Sequence, residues 1–321
     1  MSVLAGARRR AAVPGSRPSR KRVGQIGARA AYAYISPFFL VFAAFGLYPL
    51  LYTGWVSLHN VNLENLHHSP WVGLHNYTAL LHNQFFWNAL KNTITIGIIS
   101  TVPQLCMALG LAQLLNYKMR GRTFFRVAML MPYATSVVAS TLIFAELFGR
   151  DYGLINWVLH FFGVHHVNWT NGTRLQSQVA ISAVVTWRWT GYNALIYLAG
   201  MQSIPNDQYE AAAIDGANRW QQFWLVTVPA LRPTILFTIV VSTIGAMQMF
   251  AEPYLFAGDG TTNGGTQHQF QTLALFMYQQ GWTNFHLGQA AATAWTMLLL
   301  IVVLVGVNAA LARGRASRNG G

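Results

Sequence analysis

The segment from Ser203 to Pro233 reads SIPNDQYEAAAIDGANRWQQFWLVTVPALRP. Ser203 can cap a helix whose first turn holds Pro205, and Asp207 then lies near the positive end of the helix dipole. Ala211 to Ala213 favour continuing that helix, and Gly216 permits a sharp break after it. A second short helix is expected from about Asn218 to Val228, with Pro229 stopping it. Trp220, Phe223 and Trp224 make this second piece strongly amphipathic. Two short helices with aromatic rings to bury read as a plug for a partner's groove. A helix pair lying in the plane of a membrane surface is the alternative.

Outward from this segment the chain becomes apolar. Of its 321 residues 53% are apolar and only 9% are charged, against about 25% charged in a soluble domain; the mean hydropathy is +0.33. That balance excludes an ordinary soluble enzyme. A bilayer-crossing helix needs about 20 mostly apolar residues. Six windows meet this requirement: Ala31 to Tyr52, Leu90 to Leu115, Phe124 to Phe148, Val179 to Met201, Pro233 to Phe256 and Ala290 to Leu311.

The net charge of +13 could point to nucleic acid, but its placement points to a membrane and to lipid contact instead. Eight basic residues lie between Arg8 and Arg29. Lys118, Arg120, Arg122 and Arg126 form a second group, and Arg313, Arg315 and Arg318 a third. Placing the basic N-terminal tail in the cytoplasm puts seventeen of the 21 basic residues on that side. The expected fold is therefore an all-α integral membrane protein with six transmembrane helices and both termini cytoplasmic. Residues 1–30 read as a basic disordered tail, 31–311 as the six-helix domain with the loop 202–232, and 312–321 as a second cytoplasmic tail. The first apolar run is long and contains Pro37 and Pro49, so it reads as a retained span, not a cleaved signal.

Catalytic and metal-binding chemistry has little footing. Cys106 is the single cysteine. The ten histidines fall in or beside the expected external loops, with no carboxylate or cysteine to complete a ligand set, so no metal or cofactor is expected. None of the three lysines, Lys21, Lys91 and Lys118, follows a glycine, which excludes a phosphate-binding loop of the Gly-Lys-Ser/Thr kind. No Gly-x-Ser-x-Gly or His-Glu-x-x-His occurs either.

Polar groups within the spans are the candidates for function, because burying them in lipid is costly. Trp187-Arg188-Trp189 is followed by Tyr192 and Asn193; Trp189, Tyr192 and Asn193 are spaced i, i+3, i+4 and share a helix face. In the fifth window Gly245, Gln248 and Glu252 form a thin polar stripe ending at Pro253-Tyr254. Aromatic faces with amide and carboxylate partners suit a sugar, with Trp187, Trp189, Tyr192, Asn193, Gln248, Glu252 and Tyr254 as the substrate pathway. On the alternative reading the tryptophans form an interfacial belt and Arg188 simply pairs with Glu146 or Glu252.

Glu210-Ala211-Ala212, Gly216, Val226, Val228 and Pro229 resemble the EAA motif of binding-protein-dependent ABC transporter permeases. In that motif Glu-Ala-Ala is followed after three residues by Gly, then after nine by an aliphatic residue, any residue, an aliphatic residue and Pro. Valines stand where Ile and Leu are usual. Ile204-Pro205, Asp215-Gly216-Ala217 and Leu231-Arg232-Pro233 extend the likeness to the sugar-uptake (maltose-type) subfamily, as do Val72 to Tyr77 and Phe250 to Trp282. The resemblance covers about Tyr32 to Leu311.

It implies the transmembrane domain of a type I ABC importer in a bacterial plasma membrane. The expected partners are a second permease in a heterodimer, two ATP-binding subunits and an extracytoplasmic solute-binding protein. ATP would be bound and hydrolysed by the partner, so the chain itself is not an enzyme. Glu210, Ala211, Ala212, Asp215, Gly216 and Pro229 would couple it to the ATPase. The substrate implied is a disaccharide or short oligosaccharide, a cellobiose-type β-glucoside among them. Glycerol-phosphate is the alternative cargo, and an ion-coupled secondary transporter the alternative class.

Overall fold

A computed structural model describes residues 28–66, 68–117, 120–258 and 262–318. Most of the tail expected at residues 1–30 lies outside them. The chain divides between Leu51 and Tyr52 into two units. The first holds helix α1 (Ala28–Phe42), a π turn (Ala43–Leu47) and the start of α2 (Tyr48–Ser57).

The second unit continues with α3 (His75–His82), α4 (Gln84–Asn116), α5 (Arg122–Ala134), α6 (Val137–Leu147), α7 (Leu154–Phe161) and α8 (Arg174–Gln202). There follow α9 (Asn206–Ile214), α10 (Arg219–Gln222), α11 (Val228–Ala230), α12 (Arg232–Met247), α13 (Ala251–Phe256), α14 (Leu273–Tyr278) and α15 (Leu287–Arg318). α15 thus runs past the expected start of a C-terminal tail at residue 312.

Helices α4 and α8 pack along their length and form the spine of the second unit. Asn83 caps α4 by accepting from Phe85 N–H, and Thr173 opens α8 with a capping box to Gln176. The buried face of α4 carries Ala89, Gly97, Ser100, Ala108 and Ala112, small residues that let backbones approach closely. Ser182 and Thr186 of α8 donate to the carbonyls of Ile96 and Ser100. At Gly191 a Cβ would overlap the Met129 carbonyl oxygen, so α5 can rest on α8 only because this residue has no side chain.

Among the described residues, three helices are long and apolar enough to cross a membrane: Tyr32–Ser57, Gln84–Asn116 and Leu287–Asn308. Two further pairs qualify only when taken together, Arg122–Ala134 with Val137–Leu147, bent by 90°, and Arg219–Ala230 with Arg232–Met247, bent by 68°. The third expected window, Phe124 to Phe148, is therefore broken at Thr135–Ser136. The fourth lies in α8, which has the length, 29 residues, but whose polar side chains lower its hydropathy. The fifth is cut after Met247, where α12 ends.

Prolines shape the helices in a way their positions alone did not reveal. Pro229 was expected to end a helix, yet a π turn at Phe223–Thr227 leads into it and the helical path continues through α11. Val228 N–H reaches back five residues to the Phe223 carbonyl. Tyr48 N–H does the same to Ala43 just before Pro49. Widening the turn relieves the clash between the proline ring and the carbonyl four residues earlier.

Candidate substrate cavity and coupling loop

A cavity of about 480 Å³ lies between α4, α8, α12 and the start of α13. α8 contributes Arg188, Trp189, Tyr192 and Asn193; α4 contributes Ser100 and Gln104; Gly245, Gln248 and Glu252 come from the end of α12 and beyond. Trp189, Tyr192 and Asn193 share a face, as their spacing requires. The polar stripe of the fifth window has a different origin from the one expected. It is not one helix face, because α12 stops at Met247 and Glu252 belongs to α13, but the break still turns Gly245, Gln248 and Glu252 towards the same space.

Two of the seven expected pathway residues lie elsewhere. Trp187 does not line the cavity; its ring centroid is 5.3 Å from that of Phe144 on α6. Two positions along a helix rotate a side chain by about 200°, so Trp187 and Trp189 cannot share a face. Tyr254 stacks on Phe250 at 5.4 Å and approaches Tyr278. Conversely Ser100 and Gln104 line the space without having been singled out for the site, and Arg188, weighed from the sequence as either a pathway group or a mere ion-pair partner, lines it as well. Gln104, buried in a membrane-crossing helix together with Asn92 and Ser100, carried the signal that could have found it.

The aromatic wall is built in layers. Tyr192 stacks on Tyr133 at 4.6 Å with rings inclined by 22°, and Trp189 meets Tyr133 edge-on at 5.1 Å. Opposite charges face each other beside it. Arg188 Nη1 lies 3.4 Å from Glu252 Oε1, with side chains only 12% and 11% exposed. Arg188 Nη2 donates to the Thr135 carbonyl at 3.5 Å, and its Nε is buried with no hydrogen-bond partner among the described residues. Both contacts are long for charge-assisted hydrogen bonds. The guanidinium therefore has donor capacity left for a ligand. Of the two partners weighed from the sequence, Glu252 is the one it meets.

A larger groove of about 560 Å³ is lined by Ile94, Ile98, Leu105 and Ile239 among others. It is largely apolar and offers a hydroxyl-rich ligand few partners.

The segment from Ser203 to Pro233 forms two short helical arms. Ser203 Oγ donates to the Gly200 carbonyl and so closes α8; it does not cap α9, whose N-cap is Pro205. Glu210, Ala211 and Ala212 lie on α9. Gly216 follows at φ +83°, with Gly216 N–H bonded to the Ala213 carbonyl and Ala217 N–H to that of Ala212. This is a Schellman closure, which needs a left-handed residue. Asp215 is the C-cap just before it. Asn218 then starts α10 with a reciprocal capping box to Gln221.

Phe223 anchors the arm in a buried cluster with Leu115, Leu198, Met201 and Leu231, while the Tyr209 and Thr227 hydroxyls bond at 3.0 Å. The other rings are not buried within this chain. Trp220 is 68% exposed and Ile214 86%, with Trp224 and Leu225 also exposed. The arms present an exposed apolar surface.

The chain thus combines helices able to cross a membrane, an aromatic-walled cavity with a few polar groups, and an exposed helix–turn–helix loop. Residues 94–317 match the family described as binding-protein-dependent transport system inner membrane component. The trehalose/maltose transport system permease protein MalF of Thermococcus litoralis is 32% identical over 278 residues, covering 87% of this chain and 92% of that one. The lactose transport system permease protein LacF of Rhizobium radiobacter is 35% identical over 295 residues, covering 91% and 94%. In fold, the chain resembles a subunit of a bacterial ABC transporter involved in import of the acidic polysaccharide alginate, with a TM-score of 0.75 at 22% identity, over 88% of this chain and 94% of that one. The chain belongs to the binding-protein-dependent transport system inner membrane component family.

Proposed function

We propose that this permease carries a neutral di- or oligosaccharide through the cavity between α4, α8 and α12. The observation that carries the reading is the composition of that cavity. Trp189 and Tyr192 offer ring faces for the C–H surface of a sugar, Ser100, Gln104 and Asn193 offer hydroxyl partners, and the charges of Arg188 and Glu252 cancel. With those charges cancelled the cavity offers an anionic cargo such as glycerol-phosphate no net attraction, whereas a neutral sugar needs none. The trehalose/maltose and lactose cargoes in the names of its relatives support a sugar.

The chain works as one half of a permease heterodimer, with six spans and both ends in the cytoplasm. The bent pair α5 and α6, the helix α8, and α12 with α13 supply the spans beyond the three continuous ones. Two ATP-binding subunits dock on the arms formed by α9 and α10, and an extracytoplasmic binding protein delivers the sugar. The permease binds no ATP and makes or breaks no bond. ATP-driven closure of the partner dimer moves the arms, the rigid Schellman corner at Gly216 transmits the motion, and the spans reopen the cavity to the other side.

The test is uptake by proteoliposomes holding the assembled complex and its binding protein, with ATP inside. ATP-dependent accumulation of a labelled disaccharide supports the reading. Accumulation of labelled glycerol 3-phosphate, with none of any disaccharide, overturns it.

A further inference from the structure

Helix α9 carries Glu210, Ala211 and Ala212, yet it touches the rest of the chain narrowly. Of its nine residues only Tyr209 and Ala212, at i and i+3, are half-buried, and the others are exposed. The helix packs on α10 and on the π turn at Phe223–Thr227. Among the described residues one side-chain hydrogen bond joins α9 to another element. It runs between the Tyr209 hydroxyl and Thr227 Oγ1, at 3.0 Å.

Thr227 is fully buried. A helical threonine hydroxyl commonly bonds back to a carbonyl three or four residues earlier, as Thr238 does to Ile235. At Thr227 the bond crosses 18 positions to α9 instead. The π turn that ends there is fastened on its other side. Phe223 stands in the cluster with Leu115 of α4 and Leu198 of α8, and the Thr227 carbonyl accepts from Leu231 N–H at 2.9 Å. Leu231 in turn lies so close to Gly200 of α8 that a Cβ there would come within 2.7 Å of its Cδ2. A continuous line of contacts therefore runs from α9, through two hydroxyls and the π turn, to the ends of α4 and α8.

The other two attachments of α9 are main chain alone. Ser203 to Pro205 join it to α8, with Pro205 at ψ 136° and outside the helix. The Gly216 corner joins it to α10, between the outgoing and the returning arm. Neither braces the middle of α9 against the π turn, and the hydroxyl pair does.

We propose that the Tyr209–Thr227 bond is the strut that passes movement of α9 into the ends of α4 and α8, which makes both side chains positioning residues for the coupling of ATP hydrolysis to sugar movement. The inference rests on the reading that ATP-binding subunits dock on the arms. The outer face of α9, with Asp207, Glu210, Ala211 and Ile214 at i, i+3, i+4 and i+7, is left open for that contact.

The test uses the assembled complex with its binding protein in proteoliposomes, comparing wild type with Tyr209→Phe, Thr227→Val, the two combined, and Thr227→Ser. The ATP-binding subunits should co-purify with every variant. In Tyr209→Phe and Thr227→Val the ratio of phosphate released to sugar accumulated should rise about fivefold, as expected when one hydrogen bond is lost. The combined variant should be no worse than either alone, because all three lose the same bond. Thr227→Ser keeps the hydroxyl and should keep the wild-type ratio. An unchanged ratio in both hydroxyl-less variants, with the ATP-binding subunits in place, overturns the strut alone. So do additive effects in the combined variant, or a serine variant as uncoupled as the valine one, which would trace the effect to packing. Loss of the ATP-binding subunits only from the hydroxyl-less variants also overturns it, since the pair would then shape the docking site. Their absence from the wild-type complex overturns the docking reading and the strut with it.

Discussion

Arg188 of α8 and Glu252 of α13 meet at 3.4 Å although 64 positions separate them in the chain. The same guanidinium reaches the Thr135 carbonyl, at the point where α5 and α6 bend by 90°. One side chain therefore links the broken third window to the broken fifth, at the edge of the cavity. The interruption after Met247 brings Gln248 and Glu252 to the cavity lining.

Glu252→Gln should leave the Arg188 charge buried and unpaired, a defect worth about 3–5 kcal/mol where such pairs are fully desolvated. The melting temperature of the purified complex should fall. Adding Arg188→Gln should restore part of the loss, and a double-mutant cycle on the melting temperatures measures the coupling. Strictly additive effects would show that the two side chains do not interact.

Gly216→Val should strain the left-handed corner by about 1–3 kcal/mol, since nothing crowds the site and only the backbone conformation objects. Membrane insertion should be normal. The assembled complex should hydrolyse ATP without matching sugar uptake, read as the ratio of phosphate released to sugar accumulated. An unchanged ratio would remove Gly216 from the coupling path.

Two glycines should respond in opposite directions. Gly191→Leu drives a side chain into the Met129 backbone and should part α5 from α8, reducing the yield of folded permease. Gly110→Ala meets nothing within 4 Å and should be neutral or stabilising by about 0.5–1 kcal/mol. Gel-filtration yield and melting temperature together distinguish the two.

Asn156 is buried and ties down the segment around α7. Its Nδ2 reaches the carbonyls of Gly149, Arg150 and Val167, and its Oδ1 accepts from Val167 N–H and Trp169 Nε1. Asn156→Ala should cost about 1–3 kcal/mol for each group left buried and unpaired. Trypsin should then cleave after the exposed Arg150 several-fold faster than in the wild type.

The parts of this architecture visible in the sequence are those set by local chemistry. The arms follow from Pro205, Gly216 and Asn218, and the shared face of Trp189, Tyr192 and Asn193 follows from helical spacing. The continuous spans follow from runs of apolar residues. The breaks were hidden because no local signal requires them. Nothing in Met247 to Phe250 forbids a helix, and the stripe Gly245, Gln248, Glu252 reads as one face until tertiary contacts divide it. Tyr254, at the end of that stripe, stacks on Phe250 and does not line the cavity. Trp187 was included by its nearness to Trp189, against the helical period. Pro229 misled because a π turn can carry a helix past a proline when the surrounding packing holds it.

The central claim is that Trp189 and Tyr192 form the wall against which a sugar crosses the membrane. Its most direct measurement is ATP-driven disaccharide uptake by proteoliposomes carrying the assembled complex, comparing wild type with Trp189→Ala and Tyr192→Ala. Binding-protein docking and basal ATP hydrolysis should stay at wild-type levels while uptake falls about tenfold or more, as expected when an aromatic stacking surface is lost from a transport site. Uptake at the wild-type rate in both variants would contradict the account and place the route of the sugar elsewhere.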